Sequence, residues 1–283
     1  MNHSFFSGKV AVITGAGGTL CSVIARRLAA EGAVVALLGR TPAALEKVAG
    51  EIRANGGIAR AYACDVVDRA SVERAREAIV RDLGVPWFLV NGAGGNQAEA
   101  ITTATEFDPA ELAPDKPAEL RGFFNLSTEK IDDVIRANTL GTILPSQIFG
   151  RDMAAARRGS ILTFGSMTSY RAITRVPAYA TAKTGIVRFT EWLAAYLAPA
   201  NIRVNGVAPG FFVNERSRKI LMNPDGSLSN RGKSVMHHTP TKRFGEASEL
   251  VGGVMWLLND EQAQFVTGVM LPIDGGFLSS PGI

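Results

Sequence analysis

The stretch KVAVITGAGG (residues 9–18) decides how the rest of the chain is interpreted. Its first six residues form a short β-branched run, which is typical of a strand buried in a parallel sheet. Glycines follow at once, and a helical pattern occupies residues 19–31. Such a loop lets the backbone approach a phosphate while the helix N-terminus supplies N–H donors. The stretch therefore predicts a phosphate-binding loop, and the alternative is a glycine-rich turn that binds no ligand.

Strand and helix patterns alternate along most of the 283 residues. Further strands are predicted at 33–38, 58–64, 87–90, 160–164, 202–207 and 269–273. Helices are predicted from 41 onward and at 68–83, 127–156, 178–198 and 247–258. This alternation predicts an α/β fold with a mainly parallel sheet and helices on both faces. We expect one domain over 1–283, with an irregular excursion near 95–126 and a polar substrate flap near 211–243.

Composition narrows the class of protein. Hydrophobic residues make up 46% and charged residues 20%, which indicates a globular chain rather than a disordered one. The net charge is only +4 and the basic residues are scattered, so a nucleic-acid partner is not expected. No apolar run is long enough to span a membrane. The two cysteines cannot form a disulfide framework, which favours the reducing cytoplasm, and the three histidines lack metal-ligand spacing, so no metal is expected.

Ligands of parallel α/β sheets bind beyond the carboxyl ends of the strands. That edge gathers the Gly15 loop, residues 91–95, Ser166 and the segment after Pro209. The second strand ends at Arg40 with no acidic residue. An acid there suits the ribose of NAD, whereas an arginine suits the 2′-phosphate of NADP. NADP is therefore slightly favoured and NAD stays open, because Arg40 is equally well explained as a solvated surface residue.

Ser166, Tyr179 and Lys183 form a candidate acid/base group. Ser166 follows a predicted strand, and Tyr179 and Lys183 lie four residues apart on one face of the next helix. A free phenol has a pKa of about 10, and a nearby ammonium favours the phenolate. We expect Lys183 to lower the pKa of Tyr179 so that the phenol can transfer protons. The alternative is an accidental pair on an exposed helix face.

Taken together, these motifs resemble the short-chain dehydrogenase/reductase family over nearly the whole chain. The resemblance rests on the Gly15 loop, Asp65-Val66, Asn91-Gly-Ala-Gly94, Asn138-Thr-Leu-Gly141, Ser166, Tyr179 with Lys183, and Asn205-Gly-Val-Ala-Pro209-Gly210. It implies a Rossmann-type, doubly wound sheet of about seven strands in an enzyme that transfers hydride between NAD(P)(H) and an alcohol or carbonyl. It also implies a homotetramer that acts on a small molecule.

The resemblance assigns roles residue by residue. Tyr179 would be the acid/base, Lys183 a ribose contact and pKa modifier, Ser166 a substrate contact, and Asn138 the support of a water relay. The implied cofactor-binding residues are Gly15, Gly17, Gly18, Thr19, Leu20, Arg40, Asp65, Val66, Asn91, Ala93, Gly94, Tyr179, Lys183, Pro209 and Gly210. The chain departs from the family pattern at three positions. Thr19 and Cys21 replace loop glycines, and Gly92 replaces an asparagine.

Some segments resemble a narrower branch, the D-mannonate oxidoreductases (fructuronate reductases) and gluconate 5-dehydrogenases. They are residues 94–96, 171–179, 209–212, 214–216, 238–240 and 243–246. The implied substrate is a sugar acid held by Asn96, Ser166, Arg175 and Tyr179. An arginine suits a carboxylate, although Arg171 and Arg175 are equally well explained as surface or subunit-interface residues. The same chemistry on a 3-ketoacyl or cyclic substrate, or a non-catalytic nucleotide sensor, are the alternatives.

Overall fold

The strands of the chain run parallel in one sheet. We analysed a computed structural model, which describes residues 4–213 and 215–280; Asn214 of the 214–216 motif therefore lies outside the described residues. Within those ranges the sheet has seven strands in the order β3-β2-β1-β4-β5-β6-β7. They are β1 (Val10–Thr14), β2 (Val34–Gly39), β3 (Ile58–Ala63), β4 (Phe88–Asn91), β5 (Gly159–Phe164), β6 (Ile202–Pro209) and β7 (Met270–Ile273). The predicted doubly wound sheet is confirmed.

Helices cover both faces of the sheet and bury two apolar clusters. The α-helices are α1 (Thr19–Ala30), α2 (Pro42–Ala54), α3 (Arg69–Asp82), α4 (Thr128–Ala155), α5 (Pro177–Leu197), α6 (Glu215–Leu221), α7 (Asn230–His238), α8 (Val251–Leu258) and α9 (Asp260–Ala263). One cluster packs α1, α2 and α8 against the sheet. The other packs α3, α4 and α5 against the opposite face. Successive side chains of a strand point to opposite faces of the sheet, so each central strand contributes to both clusters.

The strand order reverses between β1 and β4, and this reversal places the ligand site. From β1 the chain builds outward through β2 and β3, then returns to form β4 on the other side of β1. The crevice beyond the carboxyl ends of β1 and β4 is therefore open to a ligand. Thr14 and Asn91 are the last residues of these two strands and lie in register with each other.

Two long connections on this edge hold short helices. The excursion after β4 contains three 3-10 helices, Ala98–Ala100, Pro109–Leu112 and Phe123–Asn125. The flap after β6 contains α6 and α7, which periodicity did not predict because both helices are short and polar. Most other predicted boundaries agree with the structure to within about two residues, which is the usual uncertainty of helix ends. The helix predicted at 247–258 differs, because Ala247–Leu250 is a 3-10 helix and α8 begins at Val251; the four-residue α9 was not predicted. In the described part of the chain, no helix is both long and apolar enough to cross a membrane.

Candidate active site

Two cavities meet at Gly94, beyond the carboxyl ends of the central strands. The first, of about 380 Å³, lies toward β2 and β3 and is lined by the Gly15 loop, Arg40 and Asp65. The second, of about 430 Å³, lies toward β5 and β6. Its walls include Leu20, Gly92, Gly94, Gly95, Asn96, Ser166, Tyr179, Lys183, Pro209, Gly210 and Arg231. The cavities are of the size usual for small-molecule sites.

The glycine loop interlocks with the segment after β4. Gly15 has a φ of +66°, and a Cβ there would lie 2.8 Å from the Gly92 carbonyl oxygen. The Thr14 hydroxyl accepts a hydrogen bond from the Ala93 N–H at 3.1 Å. Helix α1 starts at Thr19 with Gly18 as its N-cap, which makes no side-chain cap. The N–H groups of its first turn are therefore left for a phosphate, so the loop fits the pyrophosphate of a dinucleotide.

The unusual residues Cys21 and Gly92 fit one another. Cys21 is buried, and a Cβ at position 92 would lie only 2.0 Å from its sulfur. Because Gly92 has no side chain, the Cys21 sulfur can occupy the space beside it. Burial raises the pKa of the Cys21 thiol to about 12, so it stays protonated and unreactive. The third departure, Thr19, is exposed and lies outside the lining of both cavities.

Asn138 holds the segment after β4 in place. Its side chain is fully buried in α4, a place that an amide accepts only with hydrogen-bond partners. Its Nδ2 donates to the Gly95 carbonyl at 2.7 Å and to the Val134 carbonyl at 2.8 Å, and its Oδ1 accepts from the Gly95 N–H at 3.2 Å. These bonds fix Gly94 and Gly95, where the two cavities meet.

Ser166, Tyr179 and Lys183 converge on the second cavity. The Lys183 Nζ donates to the Phe164 carbonyl at 2.7 Å and lies 5.6 Å from the centre of the Tyr179 ring. Burial lowers the pKa of Lys183 to about 8. Burial also raises the pKa of Tyr179, and hydrogen bonding to Ser166 opposes that rise. The pKa of Tyr179 is therefore raised, whereas we expected Lys183 to lower it. The reason is that burial of the phenol outweighs the opposing hydrogen bond with Ser166.

The Ser166 loop is braced by its own hydroxyl groups. The Ser166 Oγ accepts from the Thr168 N–H at 3.2 Å, and the Ser169 Oγ accepts from the Ser166 N–H at 3.2 Å. The Ser169 hydroxyl in turn donates to the Lys183 carbonyl at 2.8 Å. This chain of bonds ties the loop after β5 to helix α5, so Ser166 and Tyr179 keep a fixed relation to each other.

The arginines predicted to meet the substrate are engaged by backbone carbonyls. Arg171 donates to the carbonyls of Leu278 and Ser280, so it anchors the C-terminal segment. Arg175, whose φ is +80°, donates through Nε to the Thr102 carbonyl at 2.7 Å. It lies outside the lining of the second cavity, whereas Asn96 is part of it. The substrate role of Arg175 stays a prediction.

Sequence reasoning missed Arg231. This residue of α7 lines the second cavity together with Ser166 and Tyr179. The signal available in the sequence is Ser229, a good N-cap residue that would have placed Arg231 in the first turn of a helix. In the described residues, no group of three or more His, Cys, Asp or Glu side chains could hold a metal; metal-free chemistry stays a prediction.

Comparison with known proteins agrees with this geometry. The model of the short chain dehydrogenase family matches residues 9–223. An uncharacterised oxidoreductase of Bacillus subtilis, UxuB, is 41% identical over 281 residues, which cover 99% of both chains.

Two solved structures are also similar. A Haemophilus influenzae protein, provisionally assigned as a D-mannonate oxidoreductase and solved with NAD bound, is 38% identical, with a TM-score of 0.92 over 98% of this chain and 97% of its own. A gluconate 5-dehydrogenase of Burkholderia cenocepacia, solved with NADP and tartrate, is 27% identical, with a TM-score of 0.81 over 99% of both chains.

Proposed function

This chain belongs to the short-chain dehydrogenase/reductase family, and on that premise we propose that it transfers hydride between NADP(H) and a secondary alcohol or ketone of a sugar acid. The observation that carries the proposal is the convergence of Ser166, Tyr179 and Lys183 on one cavity beside the dinucleotide loop. A hydride-transfer site needs a proton donor or acceptor at the substrate oxygen, and these residues supply it. A mannonate or gluconate type of substrate is supported by the names of the two similar structures.

The cofactor would cross from one cavity to the other past Gly94. The adenosine end would lie near Arg40 and Asp65, and the pyrophosphate at the start of α1. The nicotinamide end would lie near Pro209 and Gly210. When bound, this group supplies the hydride acceptor or donor, which the side chains of the chain cannot provide.

The proton step belongs to Tyr179. Because its pKa is raised, the phenol holds its proton at neutral pH and can give it to an oxygen that becomes negative during reduction. Ser166 would donate a hydrogen bond to the same oxygen and orient it. Lys183 is held by the Phe164 carbonyl near the ring, where its ammonium would favour the phenolate needed in the oxidative direction.

Arg40 supports NADP as the preferred cofactor. Its side chain is exposed and lines the cavity toward β2, and no acidic residue ends that strand. A guanidinium there suits a 2′-phosphate, whereas a carboxylate would repel it. NAD is the second candidate, because the similar Haemophilus influenzae structure holds NAD.

We propose a homotetramer as the working assembly. Helix α5 carries the exposed rings of Trp192 and Tyr196, which stack with centroids 5.0 Å apart. Such an apolar patch beside Phe189 favours contact with a second copy of the chain. Light scattering after gel filtration tests this; a monomer at micromolar concentration would contradict it.

Turnover tests the proposed function. Purified protein is mixed with NADP or NAD and D-mannonate or D-gluconate, and the absorbance of the reduced nicotinamide is followed. In the other direction, NADPH or NADH is mixed with the corresponding keto acids. We expect turnover with a sugar acid. Turnover only with a 3-ketoacyl thioester or a cyclic alcohol would replace the substrate class, and cofactor binding without any turnover would support a nucleotide sensor instead.

A further inference from the structure

Arg231 is a cation of the candidate substrate cavity that has no anionic partner in the described part of the chain. Arg231 lines the same cavity as Ser166 and Tyr179. It makes no hydrogen bond or ion pair with the side chains that the structure describes. The described lining includes no aspartate or glutamate, and its charged members are Lys183 and Arg231. A guanidinium offers five N–H donors, so this cavity has donors to offer an acidic ligand.

Local electrostatics disfavours a positive charge at this position. Arg231 lies in the first turn of α7, where the helix dipole is positive. Partial burial lowers the pKa of Arg231, and the neighbouring Arg175 lowers it further. A bound anion would relieve all three unfavourable effects at once. Several unfavourable electrostatic effects on one charged side chain are typical of a functional site rather than of a residue that stabilises the fold.

Lys183, the other described cation of this lining, has a partner, and so do three cations outside the lining that could be expected to meet a substrate. Arg171 and Arg175 donate to backbone carbonyls, and Lys183 donates to the carbonyl of Phe164. Lys242 of the flap donates to the His237 carbonyl at 2.6 Å. Among the described residues of this wall, Arg231 is therefore the cation whose donors are unused.

The helix that carries Arg231 is anchored at its start. The Ser229 Oγ accepts from the Gly232 N–H at 3.0 Å and donates to the Ile220 carbonyl at 2.7 Å. The Ser229 N–H donates to the Leu221 carbonyl at 3.0 Å. These bonds fix the first turn of α7 to the end of α6, so Arg231 is presented from a braced segment rather than from a free loop.

We propose that Arg231 binds the carboxylate of the substrate and thereby selects sugar acids over neutral polyols. A guanidinium pairs with a carboxylate through two parallel N–H···O bonds, which fixes orientation as well as charge. This pairing would hold the acid end of the substrate while Ser166 and Tyr179 engage the reacting oxygen. The inference rests on the proposed function, since it assigns a residue to that same substrate.

A comparison of D-mannonate with D-mannitol tests the inference. The two ligands share a carbon chain, and only the first has a carboxylate. Turnover of each is measured with NADP, and calorimetry measures the affinity of each for the protein saturated with NADPH, which cannot accept a hydride from either ligand. The variants are Arg231→Gln, which removes the positive charge, and Arg231→Lys, which keeps the charge but lacks the planar guanidinium that makes two parallel hydrogen bonds. Lys233→Gln, at an exposed position of the same helix, is the matched control.

We expect Arg231→Gln to weaken D-mannonate binding and kcat/KM by about 10²-fold, the loss typical of one charge-assisted pair. Arg231→Lys should lose about tenfold, because a point charge replaces a planar fork. D-Mannitol should change little in either variant, and Lys233→Gln should change neither ligand. The preference for the acid therefore falls in Arg231→Gln and persists in the control.

Two results would overturn the inference. One is an equal affinity for D-mannonate in Arg231→Gln and Lys233→Gln; the other is a wild-type protein that binds the acid no better than the polyol. If D-mannonate is turned over in either case, the proposed function stands and only the role of Arg231 is refuted. Conversely, Arg231-dependent binding without turnover would support the carboxylate contact and contradict the proposed reaction. If Arg231→Gln fails to fold by circular dichroism, the Arg231→Lys comparison decides.

Discussion

The two cavities that meet at Gly94 are built in different ways. The wall toward β2 and β3 follows directly on strand ends, and much of it is backbone and small side chains, such as those of the Gly15 loop. The wall toward β6 is formed partly by residues of the long connections, such as Asn96 after β4 and Arg231, which lies far from any strand. The first wall depends on main-chain geometry that the sheet imposes. The second depends on individual side chains carried by the long segments 92–127 and 210–269.

This difference teaches where specificity can change. A cofactor that many enzymes share needs N–H donors and close approach, which a strand-to-helix turn supplies at a fixed place. A substrate needs particular charges and hydroxyl contacts, which loops on a rigid scaffold can vary without disturbing the core. We therefore expect substitutions in the first wall to alter stability or cofactor choice, and those in the second to alter the substrate.

The largest expected effect is on the chemical step, and it comes from Tyr179 in the second cavity. Replacing Tyr179 with phenylalanine removes the proposed proton donor and keeps the ring. We expect kcat to fall by about 10²- to 10⁴-fold, the usual contribution of a general acid or base. NADPH affinity, followed by its fluorescence, should remain within a few-fold. Tyr170→Phe is the control, because Tyr170 is exposed nearby in the sequence. Equal activity of the two variants would contradict the assignment.

The second prediction uses the pH dependence of stability at Lys183. Its folded-state pKa of about 8 lies below the ordinary value of 10.5, so the unfolded chain binds more protons between these values. Stability contributed at this site therefore rises as pH rises from 8 to 10.5. The buried ammonium destabilises the fold below pH 8 by up to about 3 kcal/mol.

Lys183→Met removes this titration. Without cofactor, the free energy of unfolding of the wild type should gain about 3 kcal/mol on that of Lys183→Met between pH 8 and pH 10.5. Urea unfolding at several pH values measures the difference, and Lys47→Met controls for the loss of an exposed lysine. A difference that stays flat across this range would show that Lys183 is not desolvated.

The third prediction concerns the fit of Cys21, in helix α1, against Gly92, which lines the second cavity. Gly92→Ala places a methyl group on the sulfur and should destabilise the fold by about 1–3 kcal/mol. In the double variant with Cys21→Ala much of that cost should disappear, because the Cys21 Cβ lies 3.6 Å from the added atom. Urea unfolding of the four proteins gives the coupling energy. Gly50→Ala, where nothing lies within 4 Å, is the control; additive effects would refute the fit.

The smallest expected effect concerns cofactor choice at Arg40. Arg40→Ala should reduce the preference for NADP over NAD by about tenfold, or about 1.4 kcal/mol, because one exposed charge contact with the 2′-phosphate is lost. The ratio of kcat/KM for the two cofactors measures it. Lys47→Ala, at an exposed position of α2 outside the cavity lining, is the control. An unchanged ratio would show that Arg40 makes no energetically significant contact with the 2′-phosphate.

The fold and the first wall could be predicted because they depend on short-range patterns. The run before Gly15 identified β1, and the four-residue spacing of Tyr179 and Lys183 placed both on α5. In the second wall, Ser166, Tyr179 and Lys183 follow from similar patterns, but the contribution of the flap could not be predicted in the same way. Arg231 and Arg175 are both plausible cations by sequence, and only tertiary contacts show that Thr102 engages the second.

The directions in which the pKa values of Tyr179 and Lys183 shift could not be predicted from the sequence either. The spacing of Tyr179 and Lys183 predicts a shared helix face, but it contains no information on how deeply each group is buried. Burial is what raises the pKa of Tyr179 and lowers that of Lys183. It arises from packing of α5 against β5 and the loops above, which no local pattern encodes.

The fit of Cys21 against Gly92 also makes the two positions depend on each other. A side chain at position 92 would overlap the Cys21 sulfur at its first atom unless the sulfur or the backbone moved. A protein with cysteine at 21 should therefore accept glycine at 92 more readily than asparagine, and a protein with glycine at 21 should accept either. The effect of a substitution at one position thus depends on which residue occupies the other.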